Sequence, residues 1–130
     1  MLSVHYYSPD AFALEEDGTA DWGTQAEIAA MRAQIKKISE YAAEKGMPVF
    51  IGEYGPIDKN NTAQRAKYCY ELNYYAGYYG NVVTAYWDNG VTGEYGTALF
   101  DRVNNTVTAT GSTIISNIED GMADGIDDQP

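Results

Sequence analysis

The chain has 130 residues, the length of one domain and enough to bury a sizeable core. A formal net charge of −11 argues against nucleic acid and against an anionic membrane surface as partners, and leaves a neutral polymer such as a polysaccharide compatible. No run is long and apolar enough to cross a bilayer, the single Cys69 cannot form a disulfide within the chain, and one histidine with one cysteine cannot supply a usual zinc site, so no metal or cofactor is expected.

In chain order, Met1-Leu2-Ser3-Val4 leads straight into a strand-like run, Ser3 to Tyr7, that Ser8-Pro9 closes. No signal-peptide pattern precedes it, which reads as a segment excised from something longer. A loop with Asp21-Trp22-Gly23 follows. Thr24 then has the look of an N-cap, with Glu27 three residues on completing a capping box. Ile28, Met31, Ile35 and Ile38 recur at helical spacing; Gly46 ends that helix and Pro48 forbids its continuation. The apolar run Pro48 to Ile51 predicts a strand buried on both faces, stopping at Gly52-Glu53-Tyr54-Gly55-Pro56. A second helix is predicted from Thr62 to about Tyr79, with Ala66, Cys69, Leu72 and Ala76 inward and Gly80-Asn81 as its end. Val82 to Tyr86 is the third strand, ending at Trp87-Asp88-Asn89-Gly90. Asn104-Asn105 reads as a hairpin turn, Ser112 as the start of a short helix through Ile118, and residues 119–130, acidic and without periodicity, as a flexible tail or linker beyond a domain of residues 1–118.

Strands alternating with helices at this spacing imply βαβ units and a parallel sheet. In such folds the functional side chains collect at the C-terminal strand ends. Those ends are His5 and Tyr7, then Glu53, then Trp87, Asp88 and Asn89. Glu53 stands out because it follows an apolar run and is flanked by Gly52 and Gly55, although the bare Gly-Glu-Tyr-Gly favours an inert turn residue. Tyr7 shares a strand face with His5, and a phenol in reach of Glu53 would align that carboxylate; wall packing is the plain alternative. His5 taken alone reads as a hydrogen-bonded strand histidine, or else as a donor to a sugar hydroxyl or to Glu53. Trp87 is weighed between core and a floor for a pyranose ring, and Asn89 between turn and hydroxyl binding. Trp22, in its Gly-flanked loop, leans toward sugar stacking over loop anchoring. There is no phosphate-binding Gly-rich loop and no Gly-x-Ser-x-Gly elbow. The 12 tyrosines offer flat faces and hydroxyls that suit sugars, and suit packing as well.

Taken in order, Val4-His5-Tyr6-Tyr7-Ser8-Pro9, Asp21-Trp22-Gly23, Pro48 through Gly55, Ala85-Tyr86-Trp87-Asp88-Asn89-Gly90 and Ala98 through Arg102 resemble glycoside hydrolase family 5, the cellulases. The resemblance covers roughly residues 2–118. It implies an α/β fold, a partial (β/α)8 TIM barrel made of strands six to eight with a terminal hairpin. It implies a fragment of a secreted, retaining endo-β-1,4-glucanase acting on β-glucan. Glu53 would be the nucleophile, with His5 and Tyr7 beside it and Trp87, Asn89 and Trp22 binding substrate. The family's Asn-Glu-Pro motif, which carries the acid/base, has no match here, so the chain alone is expected to be inactive. Its partners would be the glucan and the missing N-terminal half, or a second copy that buries the open edges. The rival readings are a non-catalytic glucan-binding domain and a structural half-barrel.

Overall fold

The computed structural model describes residues 1–130. Strands β1 (Leu2–His5), β2 (Val49–Tyr54) and β3 (Val82–Tyr86) form one parallel sheet in that order. A four-residue helix α1 (Asp10–Ala13) and the long α2 (Gln25–Lys45) connect the first two strands, and α3 (Thr62–Tyr79) connects the second pair. A small antiparallel hairpin, β4 (Phe100–Asp101) and β5 (Thr106–Val107), precedes the final helix α4 (Ala109–Asp127).

The helix boundaries follow from local chemistry. The Thr24 hydroxyl accepts from the Glu27 amide at 3.3 Å while the Glu27 carboxylate accepts from the Thr24 amide at 2.8 Å, a complete capping box. At the other end Gly46 takes φ 62°, the left-handed turn that ends a helix at little steric cost. In α3 the side chains of Ala66, Cys69, Leu72 and Ala76 are buried, as the helical spacing predicts. Asn73, fully buried on the same helix, donates to the Tyr54 hydroxyl at 2.9 Å and accepts from Thr84 at 2.7 Å, so one side chain ties α3 to both β2 and β3.

The two faces of the sheet differ. On the helix side Ile51, Tyr54 and Val82 pack with Ile35, Cys69 and Leu72, Val49 is fully buried on the same face, and burial of each large apolar side chain there contributes roughly 1.5–3 kcal/mol. On the other side Val83 is 56% exposed and Phe50 only half-buried. The expectation that the Pro48–Ile51 run is buried on both faces is therefore corrected: only one face carries a packed layer.

The flexible tail is corrected too. α4 continues to Asp127, and the boundary at residue 118 falls inside it. Gly121 and Gly125 are spaced one turn apart and press on α3: a Cβ at Gly121 would lie 2.4 Å from the Tyr70 carbonyl oxygen, and one at Gly125 2.1 Å from that of Tyr74. Gly77 of α3 answers from the other side, where a Cβ would meet the Met122 carbonyl at 2.8 Å. Close backbone approach along this seam, with Ile118 and Met122 packed on the core, holds the segment helical despite its acidity. Asp124 and Asp128 also accept hydrogen bonds from Tyr70 (2.8 Å) and Tyr74 (2.9 Å).

Candidate active site

The site begins with a counting irregularity in β2. Against β3, residues 51 to 54 of β2 span the same distance as residues 84 to 86; against β1, residues 51 to 53 match residues 4 and 5. One extra residue is thus inserted at Gly52-Glu53, a β-bulge. Strict alternation would put Glu53 on the face of Ile51, beneath the helices. With the bulge, Ile51 and Tyr54 are both buried there, and Glu53 turns to the opposite, open face. The backbone stays tied on both sides: Tyr6 N donates to Glu53 O at 2.9 Å, and Trp87 N to Tyr54 O at 2.8 Å.

His5 and Tyr7 lie on that same open face, two residues apart. The Tyr7 hydroxyl donates to Glu53 Oε2 at 3.1 Å, and His5 Nδ1 lies 3.2 Å from the same oxygen. Glu53 Oε1 has no hydrogen-bond partner. The carboxylate is 27% exposed, so it is fixed at one oxygen and presented to solvent by the other. Burial first, and then the hydrogen bond and charge of Glu53, push the Tyr7 phenol up to about 12, which keeps it a neutral donor. Gly55 closes the turn at φ 148°, and a Cβ there would meet the Tyr86 ring at 2.9 Å.

The third strand end contributes Trp87, 48% exposed with its ring on the open face, so it is not core. Asp88 beside it is a loop hub. Its carboxylate accepts from the amides of Gly90, Leu99 and Phe100 and from Arg102. Burial alone would raise its pKa, but those amides and the guanidinium together hold it below the usual carboxylate value. Asn89 serves the same loop: its Oδ1 accepts from the Val91 and Thr97 amides, leaving only its Nδ2 free to reach a ligand. Sugar stacking by Trp22 is corrected. Trp22 is 6% exposed, with its ring 5.0 Å from Tyr68 in an edge-on contact and 6.1 Å from Phe12, so it anchors the loop in the core.

One positioning group was not anticipated. Arg65, 1% exposed, pairs with Asp58 at 2.9 Å, donates to the Pro56 carbonyl at 3.0 Å and reaches the Tyr86 hydroxyl at 3.4 Å. Asp58 in turn exchanges backbone hydrogen bonds with Tyr95 and Gly96. Arg65 therefore fastens the turn after Glu53 to the loop that Asn89 organises. Its position was readable: residues 65, 69, 72 and 76 repeat on the inward face of α3.

Three strand ends and a carboxylate on a bulge, with the Tyr7 hydroxyl bonded to one of its oxygens and His5 Nδ1 beside it, form a site, and the sequence around it is not isolated. Residues 1–93 match the family described as Cellulase (glycosyl hydrolase family 5). This chain belongs to glycoside hydrolase family 5. All six site residues expected from sequence lie within the matched span. Among its family 5 relatives is Endoglucanase A of Paenibacillus barcinonensis, 41% identical over 94% of this chain but only 34% of that protein. The chain thus spans between 11% and 34% of the length of the curated relatives it matches. Among solved structures, a family 5 xyloglucanase from Paenibacillus pabuli in complex with ligand superposes with a TM-score of 0.84 at 39% identity, covering 94% of this chain and 38% of that one. A broad-specificity endoglucanase from Ruminococcus champanellensis with bound cellotriose gives 0.77 at 29% identity, covering 89% of this chain and 33% of that one. Three consecutive βα units in a family 5 chain are consistent with a partial α/β barrel.

Proposed function

We propose that this chain is the part of a secreted, retaining endo-β-1,4-glucanase that supplies strands six to eight of the barrel and the nucleophile, Glu53. The observation that carries the reading is the asymmetry of that carboxylate: Oε2 accepts from Tyr7 with His5 3.2 Å away, and Oε1 is bare. A nucleophile in a double displacement needs this arrangement. Oε1 attacks the anomeric carbon, the glycosidic bond breaks, and water later cleaves the glycosyl–Glu53 ester. Tyr7 fixes the angle of attack, and with its phenol pushed up to about 12 it is protonated at neutral pH.

Protonation of the leaving oxygen needs a second carboxyl about 5 Å away. We assign none in this chain, and place it in a partner segment that completes the barrel. Trp87 stacks on a pyranose ring of the β-glucan, and Asn89 Nδ2 donates to a hydroxyl. Neighbours solved with cellotriose and with a xyloglucan oligosaccharide support a glucan as substrate. Exposure of Trp87 without a partner acid also favours a second reading, a non-catalytic glucan-binding unit.

The test is complementation. The 130-residue chain is mixed with the N-terminal part of a related family 5 enzyme, and hydrolysis of soluble β-glucan is followed. Activity is expected only in the mixture, and Glu53→Gln lowers it by about 10³-fold or more. Activity that survives Glu53→Gln removes the nucleophile assignment. A folded complex that binds glucan without turnover selects the binding unit.

A further inference from the structure

The outward face of α3 carries an aromatic surface that the Glu53 site does not use. Ala76 points inward, and Tyr74 and Tyr78, two residues to either side of it, therefore face away from the sheet. Tyr70, Tyr74 and Tyr78 form one row, with centroids 6.1 and 6.0 Å apart and ring planes within 14° and 17° of each other. Tyr75 and Tyr79 form a second row, 6.3 Å apart and within 24°. The rows meet at a near right angle, 82° between Tyr74 and Tyr75 and 85° between Tyr78 and Tyr79. Arg32 of α2 closes the corner: its Nε donates to Tyr79 at 2.9 Å, and its guanidinium carbon lies 5.9 Å from the Tyr75 ring centre. Between them is a groove of about 160 Å³ lined by Arg32, Tyr74, Tyr75 and Tyr78.

The outward stripe of a surface helix is ordinarily charged or polar. Tyr70, Tyr74 and Tyr78 depart from that, Tyr75 and Tyr79 lie at the flank of the stripe and pack in part against the core, and the hydrogen bonds to Asp124, Asp128 and Arg32 fix three of the five rings in advance, which lowers the entropy cost of holding a ligand. Charge selects the occupant. Arg32 already fills the place of a cation over Tyr75. Asp124 and Asp128 flank the row, and the chain as a whole carries −11, so a polyanion is repelled. A neutral molecule with flat C–H faces and hydroxyl edges remains, and the free Nη groups of Arg32 and the free Tyr78 hydroxyl are suited to its edges.

We propose that this corner groove between the two tyrosine rows and Arg32 is a second glucan-binding site, on the opposite side of the sheet from Glu53, which holds a neutral β-glucan chain while another stretch occupies the cleft. The groove stands on its own geometry; the choice of glucan as occupant rests on the family 5 reading.

The test is native-gel mobility of the 130-residue chain through hydroxyethylcellulose. Retardation is expected to persist in a Glu53→Gln/Trp87→Ala double variant and to weaken roughly 3- to 10-fold in Tyr78→Ala, with Tyr78→Phe close to the parent. Retardation that vanishes in the double variant and survives Tyr78→Ala overturns the proposal, as does a folded parent chain that is not retarded. Should Tyr78→Ala lose its helical circular dichroism, nitration of the parent decides: cello-oligosaccharide is expected to protect Tyr75 and Tyr78, and unchanged nitration overturns the site. Tyr78-dependent retardation with no complemented activity would leave this groove standing and remove the nucleophile reading instead.

Discussion

The two faces of the three-stranded sheet have opposite characters. Beneath the helices the central strand is closed in: Val49, Ile51 and Tyr54 are at most 1% exposed, and the buried amide of Asn73 has partners on two strands. On the other face Val83 and Trp87 stand about half in solvent, and the polar groups gathered there are His5, Tyr7 and Glu53. One face is a finished core. The other is a surface whose chemistry is assembled before its walls are. Stability and function are thus encoded on opposite sides of the same strands, and substitutions should separate them.

The largest loss is expected from Arg65→Met. It leaves Asp58 mostly enclosed without its cation and frees the Pro56 carbonyl, at a cost of about 3–5 kcal/mol in urea unfolding. Leu72→Ala, in the finished core, is expected to cost about 3 kcal/mol. A smaller and different effect belongs to Tyr7→Phe, which removes a donor at Glu53 Oε2. Activity of the complemented barrel should fall about 10-fold, the equivalent of one hydrogen bond to a charged group, with the unfolding midpoint nearly unchanged. Equal loss of stability and activity would mean that the faces are not separable. Val83→Thr on the open face should shift stability by less than about 0.5 kcal/mol.

Alkaline pH offers a test that uses the core alone. Burial raises the pKa of Tyr6, Tyr54, Tyr68 and Tyr86 well above the ordinary value of 10.0. Above that value the unfolded chain has released these protons and the folded chain has not. The folded state then binds more protons, so stability is full below pH 10.0 and falls as pH rises past it. Each such tyrosine contributes a slope of about 1.4 kcal/mol per pH unit. Tyrosinate absorbance that rises together with loss of circular dichroism fits this account. A titration of all tyrosines near their ordinary value in a folded chain contradicts it.

Much of this was legible beforehand, wherever the cause is local. The Thr24–Glu27 box, the stop at Gly46, the inward face of α3 and the turn at Asn104-Asn105 depend on neighbours a few residues apart. The meeting of Tyr7 with Glu53 was legible because adjacent parallel strands bring their ends to one rim. Trp22 was misjudged because what buries it, Phe12 and Tyr68, comes from distant chain. The end of α4 was misjudged because glycine and acidic residues read as a linker, whereas Gly121 and Gly125 are what admit the backbone of α3. A pair of glycines one turn apart was the overlooked sign.

The extra residue at Gly52-Glu53 reverses the parity of β2. Before it, the odd positions 49 and 51 face the helices; after it, the even position 54 does. A saturation scan along this strand should show intolerance to polar residues that skips a beat at 52–53. Pairing the strand without the bulge, with every residue kept, would restore regular phase and turn the carboxylate of Glu53 inward and the ring of Tyr54 out to the open face, whereas deleting Gly52 should leave both side chains on their present faces. The direction of Glu53 is in this sense set by the register of the strand, and a slip by one residue could turn it inward without changing a single side chain.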